Sequence, residues 1–224
     1  MTETGEHATL EAEPSEGPVE ADAHPAEPTE EELRLRDEAL AKVITFGDPV
    51  LRSRASEVRE FGPELAAEAD RMIAIMRDAM GVGLAATQLG ALRRMLVFQA
   101  GPDATPTAIA NPVLEWSSDE LATAAEGCLS LPRVIVDVER PLHVRVTGAD
   151  TTGDPILIEA SGLEARVLQH EIDHLDGVLI LDRTEREQRK GAMRALREGT
   201  SFAPDTDDED NGENGENGEA SAPG

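Results

Sequence analysis

Residues Gln169–Gly177 read Gln-His-Glu-Ile-Asp-His-Leu-Asp-Gly, a spacing that requires a helix bearing charged groups within the fold. On an α-helix, residues four apart lie one turn above each other on the same face. His170 and His174 therefore present two imidazole nitrogens to one metal ion. Glu171 sits one step round the helix, within reach of a metal-bound water but poorly placed as a ligand. This is the H-E-x-x-H arrangement of a metal site with a carboxylate base. At about 100° per residue, His170, His174 and Leu163 share one side of the helix, and Leu168, Ile172 and Leu175 another. Arg166, Gln169 and Asp173 form a polar third side. A helix that is apolar beside its ligands belongs at the centre of a fold, not on its surface. Ser161 with Glu164 three residues on predicts a capping box at its start, and Gly177 predicts its end.

The same motif also occurs by chance on solvated helices, so a third donor is needed. The chain has one cysteine, Cys128, 42 residues before His170. No internal disulfide can form, and Cys128 is either a buried structural thiol or a ligand or nucleophile. A thiolate with two imidazoles makes a three-ligand tetrahedral site with one open position, the pattern of a catalytic metal. A zinc endopeptidase would normally take its third ligand downstream of the second histidine. Asp176, Asp182 and Glu185 lie there, in a stretch that reads as a helix end followed by a polar helix.

Charge separates the chain into a body and two tails. Residues 1–32 hold 11 acidic and no basic residues and 203–224 hold 8 and none, so of the net −26 about −7 falls on 33–202. The expected organisation is a tail at 1–29, rich in acidic residues and proline, a catalytic domain at 30–200 and an acidic tail at 201–224, both tails disordered. A polyanion argues against general binding to nucleic acid or an anionic membrane, and no specific DNA partner is expected. No apolar run is long enough to span a bilayer, and no signal or transit peptide is recognisable. Together with the cysteine count, this predicts a cytoplasmic protein.

Along the chain, Glu30–Lys42 reads as a short helix and Lys42–Phe46 as a strand before a Gly47-Asp48-Pro49 turn. After Pro63, suited to a helix start, Leu65, Ala69, Met72, Ile73, Met76 and Met80 recur at helical spacing, the methionines as core filling. In Gly81–Gln88, two glycines one residue apart let backbone pass close to a ligand, without the third glycine of a dinucleotide site. Strands are expected at Arg94–Phe98, Thr105–Leu114, Val134–Val138, His143–Thr147 and Ile156–Ile158. Thr184–Glu198 is a final helix carrying five Arg and Lys residues.

The three segments Gly81–Gln88, Glu126–Pro132 and Gln169–Gly177 resemble the three signature motifs of the bacterial peptide deformylases, in the same order and at compatible spacing. The resemblance covers residues 42–200 and leaves both acidic tails outside it. It implies an α+β fold, antiparallel β-sheets packed around a central metal-binding helix, with N- and C-terminal helices. It also implies a hydrolase that removes the formyl group from the N-terminal N-formylmethionine of new polypeptides, releasing formate. By the same resemblance, Cys128, His170 and His174 would bind one divalent metal, Fe(II) foremost, with Zn, Ni or Co as substitutes. A metal-bound water activated by Glu171 would attack the formyl carbon, while the Gln88 amide and the Leu129 N–H hold the oxyanion. Val82, Gly83 and Glu126 would flank the peptide, and Leu163 would border the methionine pocket. Asp173 is expected to pair with Arg140. Some family members dock on the ribosome near the peptide exit through a basic C-terminal helix, which 184–198 resembles. A metal-binding relative without activity would be expected to have lost Glu171 or Gln88; both are present.

Overall fold

The computed structural model describes residues 28–204; the outer parts of the two expected tails, 1–27 and 205–224, lie outside the described residues. Two antiparallel sheets and a central helix make up the body. The larger sheet has the strand order β1-β2-β3-β6-β7 and the smaller is the β4–β5 hairpin. These are β1 (Gly83–Ala85), β2 (Met95–Phe98), β3 (Thr107–Ser117), β4 (Leu121–Cys128), β5 (Leu131–Pro141), β6 (His143–Ala149) and β7 (Pro155–Ser161). The helices are α1 (Glu30–Leu40), α2 (Pro63–Asp78), α3 (Gly162–Leu175), α4 (Ile180–Arg183) and α5 (Arg186–Glu198). This is the expected α+β class.

Helix α1 is capped by Thr29, whose Oγ1 accepts from Glu32 N while Glu32 accepts from Thr29 N, a reciprocal capping box. It ends at Leu40, short of Lys42, and buries Ala39. The strand expected at Lys42–Phe46 does not form. Ile44 N donates to Gln88 O and Phe46 N to Ser130 O, each at 2.8 Å. Its backbone ties the segment at Gln88 to the one at Ser130 and has no ladder to join. Helix α2 opens on Pro63 and buries Leu65, Ala69, Met72 and Met76 as its spacing predicts. Met80 is the exception: the helix ends at Asp78, and Met80 turns outward at φ +58° with its side chain exposed.

Strand β3 runs beyond the expected Leu114 and bends at Asn111-Pro112, where its register against β6 shifts between Ala110 and Val113. Proline has no N–H to give the ladder. Asn111, at φ +52°, repairs the defect by accepting from Val58 N and donating to Val58 O. Strand β4 is an element its composition did not reveal, since Leu-Ala-Thr-Ala-Ala-Glu-Gly-Cys lacks β-branched alternation. It pairs with β5 from Leu121↔Pro141 to Gly127↔Ile135, then shifts so that Cys128 faces Leu131. Leu129 and Ser130 form the tip.

Helix α3 is central, as its sequence requires: nine of its 14 residues are buried. Leu168, Ile172 and Leu175 pack with Leu96, Ile109, Val144 and Val146 of the larger sheet. The predicted capping box is absent. Ser161 flanks the helix, but its Oγ lies 2.7 Å from His143 Nδ1, and it caps no helix N–H. The helix ends at Leu175, two residues before Gly177, whose φ is +75° and where an added β-carbon would meet Arg52 O at 2.7 Å.

On the other side, β5 buries Val134, Val136 and Val138 with Leu51, Leu179, Leu181 and Ala192. Helix α5 begins at Arg186, two residues later than expected, and ends at Glu198, capped by Gly199 with φ +68°. The chain then returns to β5: Phe202 N donates to Arg133 O at 3.0 Å, and Ile135 N donates to Phe202 O at 2.8 Å. The body's contacts therefore extend to Phe202, past the expected boundary at 200.

Candidate active site

Strand β1 with the turn after it, the β4–β5 tip and helix α3 converge on one cavity of about 630 Å³. Cys128 arrives at the end of β4, and His170 and His174 stand one turn apart on α3. The ligand atoms of these three all lie within 4.8 Å of one another, and Cys128 Sγ is 3.2 Å from His174 Nε2. With metal–sulfur and metal–nitrogen bonds of about 2.3 and 2.1 Å, a tetrahedral ion would hold a sulfur and a nitrogen about 3.6 Å apart. The donor set suits one such ion, and the Cys128–His174 pair stands near that separation.

Supporting contacts orient these donors. His170 Nδ1 lies 2.9 Å from Glu126 Oε2. Donation from Nδ1–H to the carboxylate fixes the tautomer in which Nε2 is free to bind. Glu126 also accepts from Arg140 through both oxygens and from Arg166 Nη1. Arg140 in turn donates to Asp173 at 2.8 Å, and Arg183 to the same carboxylate. The expected Asp173–Arg140 pair is therefore present within a larger buried network. Burial pushes Glu126 up, but His170 and Arg140 outweigh it and hold the carboxyl at about 2. Its carboxylate lies beneath His170 with both oxygens occupied, while the residue also lines the cavity. The polar third side of α3 is likewise not solvated, because Gln169 and Asp173 are buried. Arg140 reaches Asp173 from β5, while Gln169 donates to Pro141 O.

Burial pushes His174 well below the ordinary imidazole value, and a charge on His170 would push it the same way. Burial also lowers His170, but Cys128 and Glu126 outweigh it and hold that ring well above the ordinary value. Glu171, 4% exposed, is pushed up to about 7 by burial, partly offset by His170 and Arg140. Its Oε2 is buried with no hydrogen-bond partner among the described residues. A carboxylate raised to near neutrality and holding an unused acceptor can take up and release a proton.

Gln88 is held by its own strand end: its Oε1 accepts from Ala85 N at 2.8 Å, which turns Nε2 toward Ser130 Oγ at 3.3 Å and Cys128 Sγ at 3.7 Å. Leu129, at the hairpin tip, also lines the cavity, as do Val82, Gly83 and Leu163. Leu163 and Val82 are both exposed at its mouth. All ten residues singled out by sequence meet here. The motifs gave no indication of Arg140 and Arg166 as partners of Glu126, or of Ser201–Ala203 at the far wall.

Comparison with known proteins agrees with this geometry. The family model for polypeptide deformylase matches residues 40–190. Peptide deformylase from Parafrankia sp. is 47% identical over 160 residues, covering 71% of this chain and 87% of the relative. Peptide deformylase 1 from Corynebacterium efficiens is 47% identical over 162 residues, covering 71% and 96%. Among solved structures, a peptide deformylase from Synechococcus elongatus, in complex with actinonin, superposes with a TM-score of 0.66 at 39% identity, covering 71% of this chain and 88% of that one. The Arabidopsis thaliana deformylase 1B gives 0.67 at 32% identity, covering 70% and 88%. Three motifs that meet in one cavity, and a family match spanning nearly all of the body around it, show that this chain belongs to the polypeptide deformylase family.

Proposed function

We propose that Cys128, His170 and His174 hold one divalent ion, Fe(II) in the cell, and that Glu171 is the base of the family's reaction. The reaction itself follows from membership: hydrolysis of the formyl amide on the N-terminal N-formylmethionine of a new polypeptide, giving formate and a free amine. The observation that carries the assignment is the meeting of three donor atoms within 4.8 Å beside the buried, unpartnered Glu171 Oε2. Thiolate and imidazole suit Fe(II) and equally Zn, Ni or Co. When bound, such an ion supplies Lewis acidity, lowering the pKa of water from 15.7 to about 7.

The chain's own groups account for the remaining steps. Glu171 takes the proton of the attacking water and passes it to the amine nitrogen as the C–N bond breaks. Gln88 Nε2 and the Leu129 N–H donate to the oxygen that gains charge at the formyl carbon. Each such donor is worth about 3–4 kcal/mol in the transition state. Glu126 keeps His170 in its binding tautomer. Val82 and Gly83 offer an edge strand to the peptide backbone, and Leu163 borders the unbranched thioether of methionine.

Anaerobic preparation with Fe(II), Ni(II) or Zn(II), followed by assay of formate release from formyl-Met-Ala-Ser, tests the assignment. Turnover that needs metal and collapses in Glu171→Ala supports it; metal binding without formate release in any form overturns it.

Partner and location follow from the same reading. Arg186, Arg189, Lys190, Arg194 and Arg197 line one groove of α5. This basic stripe suits rRNA near the peptide exit and a cytoplasmic site of action. No helix among the described residues is long and apolar enough to cross a membrane. Co-sedimentation with ribosomes, with and without residues 205–224, checks the docking. Absence of binding in both forms at low salt ends it.

A further inference from the structure

The cavity extends beyond the reacting centre. Its far wall is Ser201–Ala203, the segment that returns from α5. This strap is a short third strand beside β5, bridged in parallel at Val134↔Phe202 by two backbone hydrogen bonds. Phe202 fastens it. A β-carbon on Gly191 of α5 would lie 2.8 Å from Phe202 Cδ2 and 2.9 Å from Cζ, so the ring rests in the gap left by that glycine. Side chains alternate along a strand. With the ring turned to α5, Ser201 and Ala203 project to the opposite face, where Ile135 is exposed.

Spacing indicates what the strap can touch. Gly127 pairs with Ile135, and Ile135 bonds Phe202, so the strap lies two strand spacings from Gly127, about 10 Å. An extended peptide advances about 3.3 Å per residue. A peptide that starts beside Cys128 and crosses the cavity toward this wall would cover that distance by its third or fourth residue.

We infer that Ser201–Ala203, positioned by the Phe202 ring on Gly191, is a subsite for the peptide beyond its second residue. The inference rests on the deformylase reading and adds a specificity element from outside the three motifs. Substrates of two residues end before the strap; longer ones gain contact with it.

The test compares formyl-Met-Ala with formyl-Met-Ala-Ser-Leu on the full chain and three variants. Phe202→Ala unfastens the strap, and Gly191→Ala fills the ring's gap while leaving the phenylalanine in place. Phe202→Leu restores an apolar anchor. The first two should lower kcat/KM for the tetrapeptide about tenfold through KM, the size of a small lost apolar contact. Formyl-Met-Ala should stay within about twofold, and Phe202→Leu should recover most of the loss. Equal losses on both substrates, a loss carried by kcat, or no loss overturns the inference. Failure of the unmodified chain on formyl-Met-Ala would instead overturn the catalytic assignment.

Discussion

Gly83 and Glu171 are packed so closely that a β-carbon on the glycine would sit 2.8 Å from Glu171 Cγ and 2.9 Å from its Cδ. The glycine is needed for space, and the space is occupied by the Glu171 carboxylate, the base proposed above. Gly83→Ala must displace one or the other. Misplacing a reacting group by about 1 Å costs about 10²-fold. The expected result is a loss of that order in kcat, with metal content and melting temperature close to the unmodified protein. An unchanged kcat would mean that the carboxylate has more room than its packing indicates.

Glu126 ties His170 to two arginines, so its charge matters more than its size. Glu126→Gln leaves Arg140 and Arg166 facing a neutral amide in a buried site. Breaking one partner of a buried ion pair typically costs about 3–5 kcal/mol, and losing an outer contact to a ligand histidine weakens metal binding about 10–100-fold. Thermal melts and a chelator competition read the two effects separately. A variant as stable and as tightly metallated as the parent would sink this account of the network.

How much of this was legible depended on whether a residue acts through local spacing or through distant contacts. His170, Glu171 and His174 are legible as a group because four-residue spacing fixes their relation whatever surrounds them. Cys128 stands out as the single cysteine, and its neighbours Glu126–Pro132 carry the resemblance that joins it to histidines 42 and 46 residues on. The partners of Glu126 were hidden: Arg140 lies 14 residues away across the hairpin and Arg166 40 away on α3, and a helix pattern cannot tell a buried charge from a solvated one. Lys42–Phe46 misled because an apolar alternation describes burial, and here burial comes from docking on Gln88 and Ser130. Phe202 gave no signal, since it follows a charged helix and precedes an acidic run.

Asp182 gives a pH dependence away from the metal. It accepts from Leu179 N at 2.9 Å, pairs with Arg52 and lies 3.5 Å from Arg189. Burial pushes its carboxyl up, but the Leu179 N–H and Arg52 outweigh it and hold it below the ordinary 3.8. A lowered folded-state pKa gives stability that is present above the unfolded value and lost as pH falls through the folded one. Asp182→Asn should therefore lower the melting temperature at pH 7, and the gap to the parent should close as pH falls below the ordinary carboxylate range through the lowered value. A gap that persists unchanged in acid would assign the effect to lost packing.

Metal removal should register in stability as well as in activity, and Cys128 should set its size. A ligand that binds the folded chain alone stabilises it by RT ln(1 + [L]/Kd), about 2.7 kcal/mol at a hundredfold excess over Kd. The three donors come from β4 and α3, which no local segment joins, so an ion bound there links the hairpin to the central helix. Chelation of the loaded protein should lower its melting temperature, and added Zn(II) or Ni(II) should restore it. Cys128→Ser keeps the size but replaces a soft thiolate with a poor hydroxyl ligand. Its melting temperature without metal should match the parent's, while the increment on adding metal shrinks. An equal increment in both proteins would mean that the thiolate does not bind the ion, and the three-donor site would have to be abandoned.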